Sequence, residues 1–174
     1  VGCPAVLLDT SAPLPMRLMS IPLLNRALVR MMVPPSVARA RELPGFLGHP
    51  PEVGQRWPQC EAEVAYRFGK LHNFQQSWRT LLPLFLRPWG TNPRMQITPD
   101  ELRGIAHPTL FIWGEHDPFG PVDAGRRAAA LMKNARLEVA GIGHLPWWDD
   151  ADVCARLVRE FVRAPAGAPA LAGA

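Results

Sequence analysis

The chain has 174 residues, 48% of them hydrophobic and 20% charged, with a net charge of +4. That is enough apolar material for one globular core and too much for a disordered chain. The positive charge comes from arginines scattered between Arg17 and Arg163, with no run longer than Arg126-Arg127, no zinc-finger spacing and no RNP motif. A solvated surface is therefore expected, and no nucleic-acid partner.

Val1 to Leu8 reads as the end of a buried strand entering a loop. From Pro13 to Met32, apolar residues recur at helical spacing (Leu14, Leu18, Ile21, Leu24, Leu28 and Met31), with Pro22 placed to kink or divide the stretch. Pro34-Pro35 ends it, and a proline-marked loop is expected from Pro44 to Pro58. Residues 59–73 and 74–87 read as two helices, followed by a loop over Pro88 to Pro99 and a helix start at Thr98. Fourteen of the 20 prolines fall before residue 100, which favours short elements throughout this region.

Beyond residue 107 the pattern changes. Pro108-Thr-Leu-Phe-Ile-Trp113 is a short β-rich apolar run, as expected of a strand buried on both faces. A turn-rich loop over Gly114 to Val122 leads to a helix capped by Asp123 and running through Asn134. Arg136 to Ala140 reads as a second strand, and Gly141 to His144 as a loop. Asp149 or Asp150 is placed to cap a last helix with Val153, Leu157, Val158, Phe161 and Val162 inward. The Ala/Pro/Gly-rich residues 164–174 are expected to be disordered. Strand, loop, helix, twice over, is the rhythm of a parallel α/β sheet, whose functional loops follow the C-terminal ends of strands.

Both loops in that position carry chemistry. The first reads Trp113-Gly-Glu-His-Asp117-Pro-Phe-Gly-Pro121 and the second Gly141-Ile-Gly-His144-Leu-Pro-Trp-Trp148. Neighbouring parallel strands lie about 4.8 Å apart, so the loops bring the Asp117 carboxylate to the His144 imidazole. A carboxylate that fixes one tautomer of an imidazole leaves the other ring nitrogen to take a proton from a nucleophile or a water. Other readings of these residues stay open: Asp117 as an Asx-turn residue ahead of Pro118, His144 as a loop histidine bonded to backbone, and Glu115 as the carboxylate. His116 is expected to be a solvent-exposed neighbour.

His49, His72 and His107 show no metal-ligand spacing, and the acids Asp149, Asp150 and Asp152 are explained by helix capping, so no metal or other cofactor is expected. Phe119, Leu145 and Trp147 are candidate substrate contacts, and with Trp148 and the 14–32 segment they serve equally as packing. If they line a pocket, a small substrate with an apolar part is implied.

The two loops, a G-E-H-D-P-F-G-P run after a strand and G-x-G-H-L-P-W downstream, resemble the last third of the α/β-hydrolase superfamily. The resemblance implies Asp117 as the acid and His144 as the base of a catalytic triad whose members run nucleophile, acid, histidine. It further implies residues 1–11 as a core strand and loop, 12–100 as a helical cap inserted over the active site, and 101–163 as the C-terminal part of the core.

The sequence departs from the family pattern at the nucleophile. No G-x-S-x-G occurs, and Ser11, Ser20, Ser36 and Ser77 all lack flanking glycines. Cys3 is followed by Pro4, which has no N–H to offer an oxyanion. The expectation is a chain whose nucleophile, with the N-terminal half of the fold, lies upstream of Val1. With an upstream serine the parent would hydrolyse a carboxylic ester or similar small substrate. With an upstream aspartate it would be a dehalogenase or epoxide hydrolase. A truncated or binding-only chain is the non-enzymatic alternative.

Three widely spaced cysteines, Cys3, Cys60 and Cys154, predict reduced thiols and a cytoplasmic setting. No apolar run approaches the ~20 residues of a membrane span, and no charged n-region precedes an apolar segment.

Overall fold

The computed structural model describes residues 6–163. The expectations for Val1 to Ala5, including Cys3, and for residues 164–174 lie outside the described residues. Two compact units form: one from the described residues of Val1–Thr10 and Gln96–Ala174, the other from Ser11–Met95.

The Ser11–Met95 unit is helical. Pro22 divides its first apolar stretch into α1 (Leu14–Leu18) and α2 (Pro22–Met31). A proline fits the first turn of a helix, where its missing N–H has no partner to lose. The same device corrects the expected loop at 44–58. That segment instead holds α4 (Leu43–Phe46) and α5 (Pro51–Arg56), each with proline in its first turn. Just before them, α3 (Val37–Ala40) starts at Ser36, whose hydroxyl accepts from Arg39 N–H.

Two longer helices follow, α6 (Gln59–Lys70) and α7 (His72–Phe85). Pro83 lies inside α7 and cannot donate to the Arg79 carbonyl four residues back. The amide of buried Asn25, on α2, donates to that carbonyl instead at 3.3 Å. A two-residue hairpin, β1 (Leu86–Arg87) with β2 (Gly90–Thr91), and a 3-10 turn at Pro93–Met95 occupy the expected loop after it.

The other unit starts with a turn over residues 6–9, where the end of a strand was expected. The Val6 carbonyl accepts from Ile97 N–H at 2.9 Å. Next comes α8 (Pro99–Gly104), started by a full capping box. The Thr98 hydroxyl accepts from Glu101 N–H, and the Glu101 carboxylate accepts from Thr98 N–H.

Strand β3 (Thr109–Trp113) then pairs in parallel with β4 (Ala135–Val139), from Thr109 opposite Ala135 to Trp113 opposite Val139. Leu110 to Trp113 are all buried, the continuous apolar run that burial on both faces demands. The connecting helix, α9 (Val122–Leu131), begins one residue before the expected cap. Pro121 is its N-cap, and Asp123 sits in the first turn paired with Arg126 at 2.7 Å.

After β4 come α10 (Pro146–Asp149), which the sequence reading missed, and α11 (Ala151–Arg163). Asp150 starts α11 by accepting from Val153 N–H at 3.0 Å. Cys154 and Leu157 pack against Leu110, Ile112 and Ala140, with Val153 and Phe161 beside them. Val158 and Val162, expected inward, are exposed. The helix buries a stripe about one residue wide per turn against a two-stranded sheet, and the second row of apolar residues falls outside it. Among the described residues no helix is long and apolar enough to cross a membrane.

Candidate active site

Because β3 and β4 run parallel and in register, the loops after them leave the sheet at one level. Backbone hydrogen bonds then join loop to loop. Trp113 carbonyl accepts from Ala140 N–H at 3.0 Å, Gly141 carbonyl from Glu115 N–H at 3.1 Å, and Ile142 carbonyl from His116 N–H at 2.8 Å. Gly114 makes the approach possible. A Cβ there would stand 2.0 Å from the Gly143 carbonyl oxygen and 2.6 Å from that of Ile142. Gly141 takes a positive φ of 68° to turn the second loop.

Within this paired-loop frame the Asp117 carboxylate is fully buried. Its Oδ2 and Oδ1 lie 3.0 and 3.2 Å from His144 Nδ1. Oδ1 also accepts from Phe119 N–H at 2.8 Å. Asp117 thus makes the Asx turn ahead of Pro118 and holds the imidazole as well. One side chain therefore makes both the turn and the contact with the ring. A buried carboxylate needs such partners, because without them its desolvation is costly.

A carboxylate only accepts, so the ring nitrogen facing it carries a proton, and in a neutral imidazole so held the lone pair lies on Nε2. The His144 side chain is about a fifth exposed. Glu115 is exposed, and it is Asp117 that meets the ring. His116 is also exposed. His49 is buried, whereas His72 and His107 are exposed.

Phe119, Leu145 and Trp147 differ in their placement. Phe119 is buried and stacks on the imidazole, ring centroids 3.9 Å apart at 25°. Leu145 is half-buried next to His144, and Trp147 on α10 is exposed at 44%.

Two residues of the site escaped the sequence reading. Gly114 looked like a turn glycine but is a point of close approach. Asp149 looked like a helix cap, yet its Oδ2 accepts from Ile142 N–H at 2.7 Å and Gly143 N–H at 3.0 Å. Nothing in one sequence separates a cap from such a clamp, since both are acids at the start of a helix. Among the described residues no group of three or more His, Cys, Asp and Glu is gathered to hold a metal ion.

No family model matches the sequence. Among solved structures, a meta-cleavage product hydrolase from Pseudomonas fluorescens, a mutant complexed with acetates, matches with a TM-score of 0.58 and 24% identity over 74% of this chain and 46% of that one. The fold is that of the α/β-hydrolases.

Curated proteins match part of the chain in sequence. A 2-hydroxy-6-oxononadienedioate/2-hydroxy-6-oxononatrienedioate hydrolase 2 of Pseudomonas putida is 39% identical over 83 residues, 45% of this chain and 28% of that protein. A hydrolase of the same name, without the numeral, from Comamonas testosteroni is 36% identical over 111 residues, 63% of this chain and 34% of that protein. The chain therefore spans about a third of the length of the curated relatives it matches, and the match lies in their C-terminal part.

Proposed function

We propose that this α/β-hydrolase chain supplies the acid–base half of a nucleophilic hydrolase, with His144 as the base and Asp117 as the group that orients it. The observation that carries this reading is the His144 Nδ1 to Asp117 contact at 3.0 Å, made from a fully buried carboxylate. With the proton held on Nδ1, Nε2 accepts the proton of a nucleophile as it attacks a carbonyl carbon, and the carboxylate stabilises the imidazolium that forms. Nε2 then returns the proton to the departing group. Water, deprotonated by the same nitrogen, releases the acyl intermediate. The nucleophile comes from a segment outside these 174 residues, since none of the four serines lies in a G-x-S-x-G.

The substrate proposed is a small carbonyl compound of the class the curated relatives are named for, an oxo-dienedioate. Hydrolysis there adds water across a carbon–carbon bond beside the ketone: the ketone carbon becomes a carboxylate, and the departing carbon takes the proton. Ester hydrolysis needs the same attack, the same base and an easier leaving group, so a carboxylic ester falls within reach of the same residues. The Ser11–Met95 unit takes the role of the cap in this reading.

Joined to its upstream segment, the chain is expected to cleave a 2-hydroxy-6-oxo-dienedioate, followed by loss of the conjugated chromophore, and a p-nitrophenyl ester more slowly. His144→Ala lowers kcat by about 10³-fold or more. The 174-residue chain by itself releases p-nitrophenol no faster than free imidazole does. Full turnover by the His144→Ala protein overturns the reading of His144. Turnover by the isolated chain that disappears with His144→Ala overturns the external nucleophile.

A further inference from the structure

The loop that presents His144 is held from two sides. Its carbonyls at Gly141 and Ile142 accept from Glu115 and His116 N–H groups, so the acid-bearing loop fixes that side. Its amides at Ile142 and Gly143 turn the other way, and both donate to a single oxygen, Oδ2 of Asp149, at 2.7 and 3.0 Å. Asp149 is the last residue of α10, five positions beyond His144, and Pro146 at the first turn of that helix is buried. Gly141 is packed so closely that a Cβ there would lie 2.9 Å from Asp149 Oδ2 and 2.9 Å from the Pro146 carbonyl oxygen. The chain from 141 to 149 therefore closes on itself around one carboxylate, with His144 at its crest.

We propose that Asp149 is a positioning residue for His144. Two consecutive amides aimed at one anionic oxygen form charge-assisted hydrogen bonds, roughly twice as strong as neutral ones. They fix the backbone of Ile142 and Gly143, and so the point from which the His144 side chain starts. The imidazole must meet Asp117 on one nitrogen and leave the other aimed at a reacting atom. Misplacement by about 1 Å at that distance is enough to lower a rate by about a hundredfold. Asp149 touches neither the ring nor a substrate in this scheme. It acts through the loop, and the proposal rests on His144 being the base.

The test reads the loop and the chemistry separately. In the 174-residue chain labelled with 15N, Asp149→Ala is expected to speed hydrogen exchange of the Ile142 and Gly143 amides by about tenfold. It should also move the His144 ring nitrogens from the signature of one tautomer toward a mixture. Asp149→Asn keeps an oxygen at the same place and should restore most of both signals. Asp152→Ala, an exposed acid on α11, should change neither.

If Asp149→Ala does not fold, Asp149→Asn alone still decides. Its neutral oxygen should leave the two amides exchanging faster than in the parent chain. Unchanged exchange and an unchanged His144 tautomer in whichever variant folds would overturn the clamp.

In the protein joined to its upstream segment, Asp149→Ala should lower kcat by about ten- to a hundredfold with KM nearly unchanged, and Asp149→Asn should recover most of the loss. A fall in KM-dependent binding with kcat intact overturns the positioning role. Full activity of the His144→Ala protein overturns the functional reading instead, while leaving the amide-exchange result standing.

Discussion

The Phe119 ring lies flat against the His144 imidazole, with centroids 3.9 Å apart and planes inclined by 25°. One short segment therefore fixes the histidine twice. Asp117 holds the edge of the ring through Nδ1, and Phe119, two residues later, covers a face. The Asx turn couples them, because Asp117 Oδ1 accepts the Phe119 amide proton at 2.8 Å. Rotation of the imidazole about its Cβ–Cγ bond would break the carboxylate contact and the stack together.

Replacing Phe119 removes the stack and leaves a cavity. The side chain is buried, so Phe119→Ala is expected to destabilise the unit by about 3 kcal/mol or more. Phe119→Leu keeps most of the volume and should cost about 1.5 kcal/mol or less. In both variants the His144 ring protons lose the ring current of Phe119 and move downfield. Urea titration gives the stability, and proton NMR the shift. A His144 resonance unmoved in Phe119→Leu would mean the two rings are not stacked in solution.

Asp117→Asn separates the two jobs of that side chain. The amide oxygen still accepts from Phe119 N–H, so the turn survives. Facing Nδ1, the amide no longer compels that nitrogen to hold the proton, and the other tautomer becomes available. The joined protein should lose about 10⁴-fold in kcat, a loss of the size seen when a histidine is left in the wrong tautomer. A rate within tenfold of the parent would show that the carboxylate does not set the tautomer.

How far these features could be read beforehand depended on how locally each is encoded. Strand β3 was legible because a strand covered on both faces is a contiguous apolar run, here Leu110 to Trp113 between Pro108 and Gly114. Asp117 and His144 were legible because each follows a strand end, and parallel strands in register bring such loops to one level. The 44–58 segment was misread because proline marks both loops and first turns. Pro44 and Pro51 lie in the first turns of α4 and α5.

Val158 and Val162 were misread for a different reason. Helical spacing gives the apolar face, but how much of it a sheet covers depends on packing that no local pattern records. Gly114 and Asp149 were hidden because their partners lie across loops, at positions that only the folded chain brings together.

Two glycines separate crowding from backbone preference. At Gly114 a Cβ would lie 2.0 Å from the Gly143 carbonyl oxygen, a backbone atom with no flexible end to move. Gly114→Ala must push the loops apart, and about 3 kcal/mol of stability is expected to go with it. At Gly104, the last residue of α8, nothing lies within 4 Å of the added methyl. Gly104→Ala is expected to be neutral or stabilising by up to about 1 kcal/mol, since alanine has less conformational freedom to lose in a helix. The denaturant midpoint should fall for Gly114→Ala and hold or rise for Gly104→Ala. Equal losses would mean that the close approach at Gly114 is not present in solution.

The cysteines should respond differently to alkylation and to pH. Cys60 is exposed on α6, and Cys154, on the inner side of α11, is buried at 5% exposure. Burial pushes the Cys154 thiol up from its ordinary value, and the carboxylates of Asp150 and Asp149 push it the same way. The thiolate is the reactive form, so Cys154 is disfavoured both by access and by protonation. At pH 8, iodoacetamide followed by peptide mapping should label Cys60 quickly and Cys154 only as the chain unfolds. Linkage gives the sign of the pH effect. The folded state keeps the Cys154 proton longer than the unfolded state does. The stability this contributes is therefore complete below the ordinary thiol value of about 8.5 and is lost as the pH climbs from there toward the raised folded value. Cys154→Ser should flatten that alkaline decline, measured by urea titration between pH 8 and 10. If the parent and the serine variant decline alike, the Cys154 thiol has its ordinary value in the folded chain.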